Sequence, residues 1–493
     1  MTHNTLLVRT LHMKKTLVAL ALAALPALVL SACNGSATAG GVAPLPNAPA
    51  AQHGRMHRND NGAQDLHAGG ATFPAYAYNQ ANQPVGYYYQ AQQPPGAASL
   101  FYKAPTHGTV YYCLTGSGAG RKAFEGSGDS SAPPTGPCAP LGATATGFGG
   151  RQDPLDFVGS DVAMPSTEYT AYKSVRESGS VQWGEPFEIP TIGGPIVYAY
   201  RPQDMDKKAV DLSTWTYCAI ANGTIGDWND AAITADNNGT SLTGGVSQPI
   251  TFYFRSDSSG TSFLYTNHLN TACNATFGAP YNQPPYGSAS RSAAWSYGVN
   301  STWPGPGSAN FPNPQFIGES GNPGVLAAIQ ATPYGTGYVE GAYAKSANPK
   351  VAQAYLQNGQ TKKGAIFVSP MNAAAVTGAL KKVNAGNITY GEGSDEVPLG
   401  TSAPWCILYI DPSVFVSPPI KTYPIVGVSY WLFYGQNNGV HVSDKQALIK
   451  YVASTPANKV VSKLEYVPLS TSIHTAVLNA LAGNSGSQPA CLQ

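Results

Sequence analysis

Charged residues are scarce in this sequence. Asp, Glu, Lys and Arg make up 11% of its 493 residues, well under the roughly 25% of an average soluble protein. The formal net charge is +1, and no run of Lys or Arg occurs in the body of the chain. Because nucleic-acid binding needs a basic surface, the composition predicts no nucleic-acid partner.

The N-terminal apolar run is too short to span a bilayer. Lys14 and Lys15 precede apolar residues 17–30, whereas a transmembrane helix needs roughly 20 such residues. This pattern is typical of an export signal of the Sec pathway. Residues 30–33, Leu-Ser-Ala-Cys, resemble the bacterial lipobox, so we expect residues 1–33 to be a signal peptide that ends at a lipidated Cys33.

Residues 34–65 have no apolar periodicity and are rich in Ala, Gly, Pro, Asn and His. Such a segment cannot bury a core, which predicts a flexible tether. His53, His57 and His67 lie in or beside it, and we expect them to be solvated residues of the tether, so we predict no metal site and no cofactor. The chain should be a periplasmic or cell-surface lipoprotein, held by its lipid alone. Asn34 after the cysteine, where Asp would favour the inner membrane, favours the outer one.

No Cys-x-x-Cys pair occurs among the seven cysteines. Without Cys33 an even number remains, which in an exported chain favours disulfides over free thiols or metal ligands. Sequence alone leaves their pairing open. Closeness along the chain favours the pairs Cys113–Cys138, Cys218–Cys273 and Cys406–Cys491.

Short apolar segments alternate with helix-like ones, which predicts α/β architecture. The predicted strands are 158–160, 196–200, 250–254 and 426–433, and the predicted helices are 262–269, 325–330, 373–383 and 445–452. Segments 121–150 and 275–315 are dense in Gly, Pro, Ser and Asn, so we expect long surface insertions there. No internal repeat is found, and the length suggests two to three compact units.

Three segments place small or hydroxylated residues just before what reads as a helix start: 70–74, 116–120 and 258–263. The first turn of a helix exposes unpaired N–H groups with about half a positive charge, so each segment could hold an oxyanion. Taken singly, each could equally be an ordinary helix cap. Arg255 and Asp257 precede the third segment and could present a guanidinium to the same anion. Asp161 follows an apolar segment and could cap a helix or accept a proton from a ligand.

Together and in this order, these segments resemble the phosphate-binding proteins of Pst-type ABC importers. Residues 71–74 are similar to the opening motif of that family, 116–120 to its second phosphate loop and 159–161 to its acidic segment. Residues 255–263, Arg-Ser-Asp-Ser-Ser-Gly-Thr-Ser-Phe, are close to its signature and depart from it only at Ser258, where Gly is usual. Supporting stretches recur at 189–194, 227–230, 337–340 and 423–425, so the resemblance covers about residues 66–475.

The resemblance implies a two-lobed periplasmic-binding-protein fold of type II, each lobe a mixed sheet flanked by helices, with the ligand in the cleft between them. Lobe 1 would comprise 66–193 and 424–493, the latter including a C-terminal tail, and lobe 2 would comprise 194–423, with chain crossings near Gly193 and Tyr423. The implied phosphate ligands are Thr72, Phe73, Ser117 and Asp161 from lobe 1 and Arg255, Ser259, Gly260 and Thr261 from lobe 2, with Asp257 in support. The implied partner is the permease of the importer, and the protein should be a monomer that catalyses no reaction.

Two other classes of function remain open. An exported phosphatase or other hydrolase could use the same anion site, and residues 318–322, Gly-Glu-Ser-Gly-Asn, begin like a nucleophile elbow. Their fifth residue is Asn rather than Gly, and a loop explains them better. A surface phosphate sensor or an adhesive protein would fit the tether and the low charge. An adhesive role, however, gives no reason for the five site segments to occur together.

Overall fold

The computed structural model describes most of the chain from residue 65 onward. The described residues are 65–80, 95–126, 155–177, 183–391 (without 208, 362 and 363), 402–436, 441–483 and 488–493. The predicted signal peptide, Cys33, residues 34–64 of the predicted tether and most of the segment 121–150 lie outside them. Within the described ranges, no helix is both long enough and apolar enough to cross a bilayer.

Strands and helices alternate along the described chain, which confirms the α/β prediction. The strands are β1 (Leu66–Gly70), β2 (Val110–Leu114), β3 (Phe157–Ser160), β4 (Pro186–Tyr200), β5 (Asp211–Leu212), β6 (Thr251–Arg255), β7 (Phe316–Glu319), β8 (Gly335–Glu340), β9 (Ala352–Gln353), β10 (Tyr355–Thr361), β11 (Gly364–Val368), β12 (Ile388–Tyr390), β13 (Leu408–Ile410), β14 (Val426–Tyr434) and β15 (Val467–Pro468). The helices are α1 (Ala75–Asn79), α2 (Leu100–Lys103), α3 (Ser117–Glu125), α4 (Ser166–Arg176), α5 (Thr214–Ala221), α6 (Ala231–Asp236), α7 (Gly260–Ala272), α8 (Gly321–Ala331), α9 (Gly341–Ser346), α10 (Ala373–Leu380), α11 (Val442–Val452), α12 (Thr455–Lys463) and α13 (Thr471–Ala482). Each strand or helix that the sequence predicted overlaps an element of that type.

One sheet contains two groups of parallel strands. Its order is β2-β1-β3-β14-β4-β8-β6-β7, and β9 and β15 pair with β4 beside that path. β1, β2 and β3 run parallel, as do β6, β7 and β8, whereas β14 and β4 run antiparallel to their neighbours. The carboxyl ends of each parallel group therefore share an edge, and in α/β sheets ligands bind outside such edges.

Strand β4 changes partner part-way along its length. It pairs with β14 as far as Pro195 and with β8 from Ile196 onward. Both β4 and β14 are buried along their whole length, because apolar side chains stand on both of their faces. The Tyr423 hydroxyl donates to the carbonyl of Ile196 at 3.1 Å, which fixes the chain just before β14 against the point where β4 changes partner.

The segment 275–315 contains no helix or strand and most of its residues are exposed, as expected of a surface insertion, but some of its aromatic side chains are buried. Trp295 and Trp303 are only 1% and 3% exposed. The Trp303 ring stacks on that of Phe254, with centroids 5.4 Å apart. Aromatic rings spaced among the glycines and prolines bury enough apolar area to hold an irregular backbone in place. The start that was predicted for the insertion 121–150 is wrong, because residues 121–125 belong to α3.

Two predicted disulfides are confirmed. Cys218 is bonded to Cys273 and Cys406 to Cys491. Cys113 is disulfide-bonded as well, whereas its predicted partner, Cys138, lies outside the described residues. Cys406 lies two residues before β13. Its bond to Cys491 therefore ties the C-terminal residues 488–493 to the segment before that strand.

Candidate anion-binding site

The predicted ligand residues follow the carboxyl ends of parallel strands. Thr72 comes two residues after β1, Ser117 begins α3 just beyond β2, and Asp161 comes directly after β3. Arg255 is the last residue of β6, and α7 begins five residues later at Gly260. The sheet therefore presents both sets of predicted ligands from the carboxyl ends of its two parallel groups.

Ser117 and Gly260 are in direct contact, although 143 residues separate them in sequence. The Ser117 hydroxyl accepts hydrogen bonds from the Gly260 N–H at 3.1 Å and from the Asp161 N–H at 3.2 Å. A side chain on Gly260 would place its Cβ 2.5 Å from the Asp161 Cβ and 2.6 Å from the Ser117 Oγ. Only glycine allows this approach without displacing the neighbours.

A second contact joins the start of α3 to the segment before α7. The N–H of Gly118 donates to the carbonyl of Ser258 at 3.0 Å. A Cβ on Gly118 would overlap the Ser258 side chain. This explains how the chain accommodates Ser258 where the Pst-type signature has Gly: the serine side chain occupies the space that a glycine leaves open on α3.

Arg255 is a buried cation, only 1% exposed. Its Nε donates to Asp257 Oδ1 at 2.7 Å, and one terminal nitrogen pairs with Asp257 Oδ2. The other terminal nitrogen donates to the Thr261 hydroxyl at 3.4 Å. A guanidinium has five N–H groups, so two of them have no acceptor among the described residues. Asp257 also accepts from the Gly321 N–H at 2.9 Å, which ties the ion pair to the start of α8.

Asp161 is a buried carboxyl, 2% exposed. Its Oδ1 accepts from the Ser429 hydroxyl at 2.7 Å, and its Oδ2 lies 3.3 Å from the Ser117 hydroxyl. Burial raises the pKa of the Asp161 carboxyl to about 7, against the lowering effects of Ser429 and Arg255. Asp161 does not cap the helix that follows it, because the N-cap of α4 is Pro165. The helix-cap alternative is therefore wrong for α4.

Ser259 is held in place by its role as a helix cap, and Phe73 by contacts with Tyr466. The Ser259 hydroxyl caps α7 by accepting from the Ser262 N–H at 3.2 Å, and this leaves its proton able to donate. The carbonyl of Phe73 accepts from the Tyr466 hydroxyl at 2.7 Å, and the two rings meet edge to face. The Tyr466 hydroxyl also lies 2.9 Å from Glu340 Oε2. Burial raises the pKa of Glu340 to about 8.

Four backbone N–H groups at the site have no acceptor in the described part of the chain. They belong to Thr72, Phe73, Ser117 and Thr261. All four residues are at most 1% exposed. Buried backbone N–H groups are almost always paired, because an unpaired one costs free energy comparable to a lost hydrogen bond. The concentration of these donors beside the Arg255 guanidinium makes the site chemically suited to an anion.

Sequence reasoning missed Ser429 and misjudged Asn322. Ser429 is a fully buried hydroxyl in the otherwise apolar β14, and a lone polar residue in a central strand needs a partner.

Asn322 belongs to the segment predicted as a loop, but Glu319 ends β7 and Ser320 is the N-cap of α8, so the segment joins a strand to a helix. Asn322 is fully buried and contacts Thr72 and Thr261. Asn322 follows β7, which runs parallel to β6, so it lies at the same edge of the sheet as Arg255. That position was the signal that could have identified it as a site residue.

A family model for the PBP superfamily domain matches residues 90–455. The chain belongs to the PBP superfamily. Among curated members, it is 28% identical over 331 residues to "Phosphate-binding protein PstS 2" of Mycobacterium tuberculosis, covering 66% of this chain and 74% of that one. It is 28% identical over 292 residues to "Phosphate-binding protein PstS 3" of Mycobacterium leprae, covering 59% and 62%.

Solved phosphate-binding proteins share the fold of this chain. A phosphate-binding protein from Stenotrophomonas maltophilia aligns with a TM-score of 0.58 at 22% identity, over 87% of this chain and 96% of that one. A high-affinity periplasmic phosphate-binding protein, PfluDING, bound with phosphate, aligns with a TM-score of 0.58 at 20% identity, over 86% and 96%. The expected periplasmic-binding-protein fold of type II is thereby confirmed.

Proposed function

We propose that this chain binds inorganic phosphate as the exported receptor of an ABC importer and delivers it to the permease of that importer. The proposed ligands are those predicted from sequence: Thr72, Phe73, Ser117, Asp161, Arg255, Ser259, Gly260 and Thr261, with Asp257 orienting the guanidinium. The names of the curated relatives support this function, and so do the solved phosphate-binding proteins of the same fold.

The observation that carries the proposal is the group of buried N–H donors at Thr72, Phe73, Ser117 and Thr261, which have no acceptor among the described residues. Hydrogen bonds connect their residues, from Thr72 through Asn322 to Thr261 on one side and from Ser117 to Gly260 on the other. A tetrahedral oxyanion has enough acceptor sites to satisfy all four donors at once. The Arg255 guanidinium supplies the charge that a set of dipoles lacks.

Asp161 favours phosphate over sulfate in this site. Phosphate carries at least one O–H near neutral pH and can donate to a carboxylate, whereas sulfate has no proton to give. Once Asp161 is ionised, above its pKa of about 7, sulfate would place a lone pair against the buried carboxylate, and a repelled polar group in a closed site costs at least about 1 to 3 kcal/mol. The carboxylate therefore discriminates mainly by rejecting sulfate.

Two lobes that close on the ligand would complete the site. Lobe 1 would comprise residues 66–193 and 424–493, and lobe 2 residues 194–423. The change of partner along β4 supports a crossing close to Gly193, and the contact between Tyr423 and Ile196 supports a second crossing beside it. The hydrogen bond from the Gly260 N–H to Ser117 supports a closed arrangement of the two lobes.

The protein would act as a monomer outside the cytoplasmic membrane. A lipid on Cys33 would anchor it, and the tether would let the receptor reach the permease. The short apolar run ending in Leu-Ser-Ala-Cys supports export and lipidation, and Asn34 supports the outer membrane.

Equilibrium binding of labelled phosphate to the purified protein tests the proposal. We expect saturable binding at one site per chain that sulfate competes for only weakly. A parallel assay for phosphate released from phosphate esters tests the hydrolase alternative. Absence of phosphate binding by the folded protein, or release of phosphate from esters with turnover, would overturn the proposed function.

A further inference from the structure

Asn322 holds two of the proposed ligand residues through one side chain. It is the second residue of α8 and is fully buried. Its Nδ2 donates to the Thr72 hydroxyl at 3.0 Å and to the Thr261 hydroxyl at 3.2 Å, and its backbone N–H donates to the Thr72 hydroxyl at 3.1 Å. Its Oδ1 accepts from the Glu340 N–H at 3.0 Å. That last bond fixes which end of the amide faces the threonines.

The donors around each threonine leave its hydroxyl a single role. A hydroxyl has two acceptor lone pairs and one proton to donate. The Thr72 oxygen accepts from the backbone and side-chain nitrogens of Asn322, so both of its lone pairs are in use. The Thr261 oxygen accepts from Asn322 and Arg255, so the same holds there. Each hydroxyl can then only donate its proton to a further group.

We infer that Asn322 is a positioning residue that turns the Thr72 and Thr261 hydroxyls into obligatory donors. The inference rests on the proposed function. It explains why these two hydroxyls can only donate hydrogen bonds to a ligand. Groups opposite these hydroxyls must be acceptor oxygens, so an O–H of the ligand is directed elsewhere, to Asp161. Without Asn322 each hydroxyl could rotate and present a lone pair. This would weaken its bond to an oxyanion and would let an O–H of the ligand face a threonine instead of Asp161.

A double-mutant cycle with Asn322→Ala and Thr72→Val tests the inference on the full chain. Isothermal calorimetry with inorganic phosphate measures all four forms, and thermal melting shows that each is folded. We expect each single change to weaken binding by about tenfold, because each removes or misdirects a donor to the anion. In the Thr72→Val background, Asn322→Ala should weaken binding at least about threefold less than it does in the wild type, since one of its two target hydroxyls is gone.

A matched control is Asn237→Ala. Asn237 is also buried, at 1% exposure, and its amide bonds to Asp211 and Ile233 away from the site. This variant should melt at a lower temperature and bind phosphate as the wild type does. If Asn322→Ala fails to fold, Asn322→Asp keeps the shape and replaces the amide donor by an acceptor. We then expect phosphate binding to weaken by more than tenfold in a folded protein, and rescue by lowering the pH until the new carboxyl is protonated.

The outcomes separate this inference from the proposed function. A wild-type protein that does not bind phosphate overturns the proposed function and the inference with it. A wild-type protein that binds phosphate, together with effects of Asn322→Ala and Thr72→Val that simply multiply, overturns the inference alone. For Asn322→Asp, wild-type affinity would do the same.

Discussion

Arg255 combines nearly complete burial with two guanidinium N–H groups that have no acceptor in the described part of the chain. Charge-assisted hydrogen bonds contribute about 1.5 to 3 kcal/mol, so Arg255→Ala should weaken phosphate binding by roughly tenfold to a hundredfold. Calorimetry on the variant measures this. Arg291→Ala is the control, because Arg291 also pairs with an aspartate, Asp230, but away from the site. Unchanged affinity in a folded Arg255→Ala protein would remove Arg255 from the ligand set.

Asp161 should set the preference between two anions of nearly equal size. The Asp161→Asn amide keeps the shape and can still accept from Ser429, but it can also donate to either anion. We expect the ratio of phosphate to sulfate affinity to fall by roughly tenfold or more, even if phosphate affinity changes little. Competition binding with both anions on wild type and variant measures the ratio. An unchanged ratio would leave Asp161 with the smaller role of holding Ser429 and Ser117.

At the scale of elements, the start of α7 must approach the loop after β3 and the start of α3 within van der Waals contact. Gly260→Ala would place a methyl group 2.5 Å from the Asp161 Cβ, so the two sides must move apart. The direct bond from the Gly260 N–H to Ser117 would then lengthen. We expect phosphate affinity to drop at least tenfold, since small displacements at a preorganised site cost much of its binding energy.

Gly278→Ala provides the control for this prediction. Apart from Gly278 itself and its two chain neighbours, no described residue has a heavy atom within 4 Å of where the Gly278 Cβ would lie. Its replacement should change neither affinity nor stability appreciably. If Gly260→Ala bound phosphate as tightly as Gly278→Ala, close approach of α7 would not be required for binding.

The whole molecule buries several carboxyl groups whose pKa values are raised. Burial raises the pKa of Asp161 to about 7, of Asp236 to about 6 and of Glu188 and Glu340 to about 8. In the unfolded chain these groups lose their protons near pH 4. Through these four carboxyls the folded state holds more protons than the unfolded state between about pH 4 and 8, and the free energy of unfolding decreases as the pH rises. His268 acts in the opposite direction below about pH 6.5, because burial lowers its pKa to about 4, but a single histidine offsets only part of the effect of four carboxyls.

Urea unfolding of the phosphate-free protein at pH 5, 6.5 and 8 measures this slope. A difference of one unit between the folded-state and unfolded-state pKa of a single group corresponds to about 1.4 kcal/mol. We therefore expect the free energy of unfolding to fall by at least about 1 kcal/mol from pH 5 to pH 8. Glu188→Gln keeps an acceptor for the Met164 N–H and should flatten the profile. A flat wild-type profile, or a variant with the wild-type slope, would contradict the prediction.

The sequence by itself determined the local chemistry of this protein. Short apolar segments that alternate with helix-like ones predicted β3, β6 and β14. Hydroxyl and glycine residues at 116–120 and 258–263 predicted the starts of α3 and α7, because capping depends on neighbours within one helical turn. The even number of cysteines predicted disulfides, and closeness in sequence paired two of them correctly.

Only the tertiary structure decided which of these local pieces meet. Ser117 and Gly260 are far apart in sequence and touch because two parallel groups of strands end at facing edges. Ser429 and Asn322 carry no local motif, and their roles depend on groups that the sheet order brings beside them: Asp161 for Ser429, and Thr72 and Thr261 for Asn322. The burial of Trp295 and Trp303 within the insertion 275–315 was likewise decided by tertiary structure, since burial of a side chain depends on packing partners that sequence spacing does not reveal.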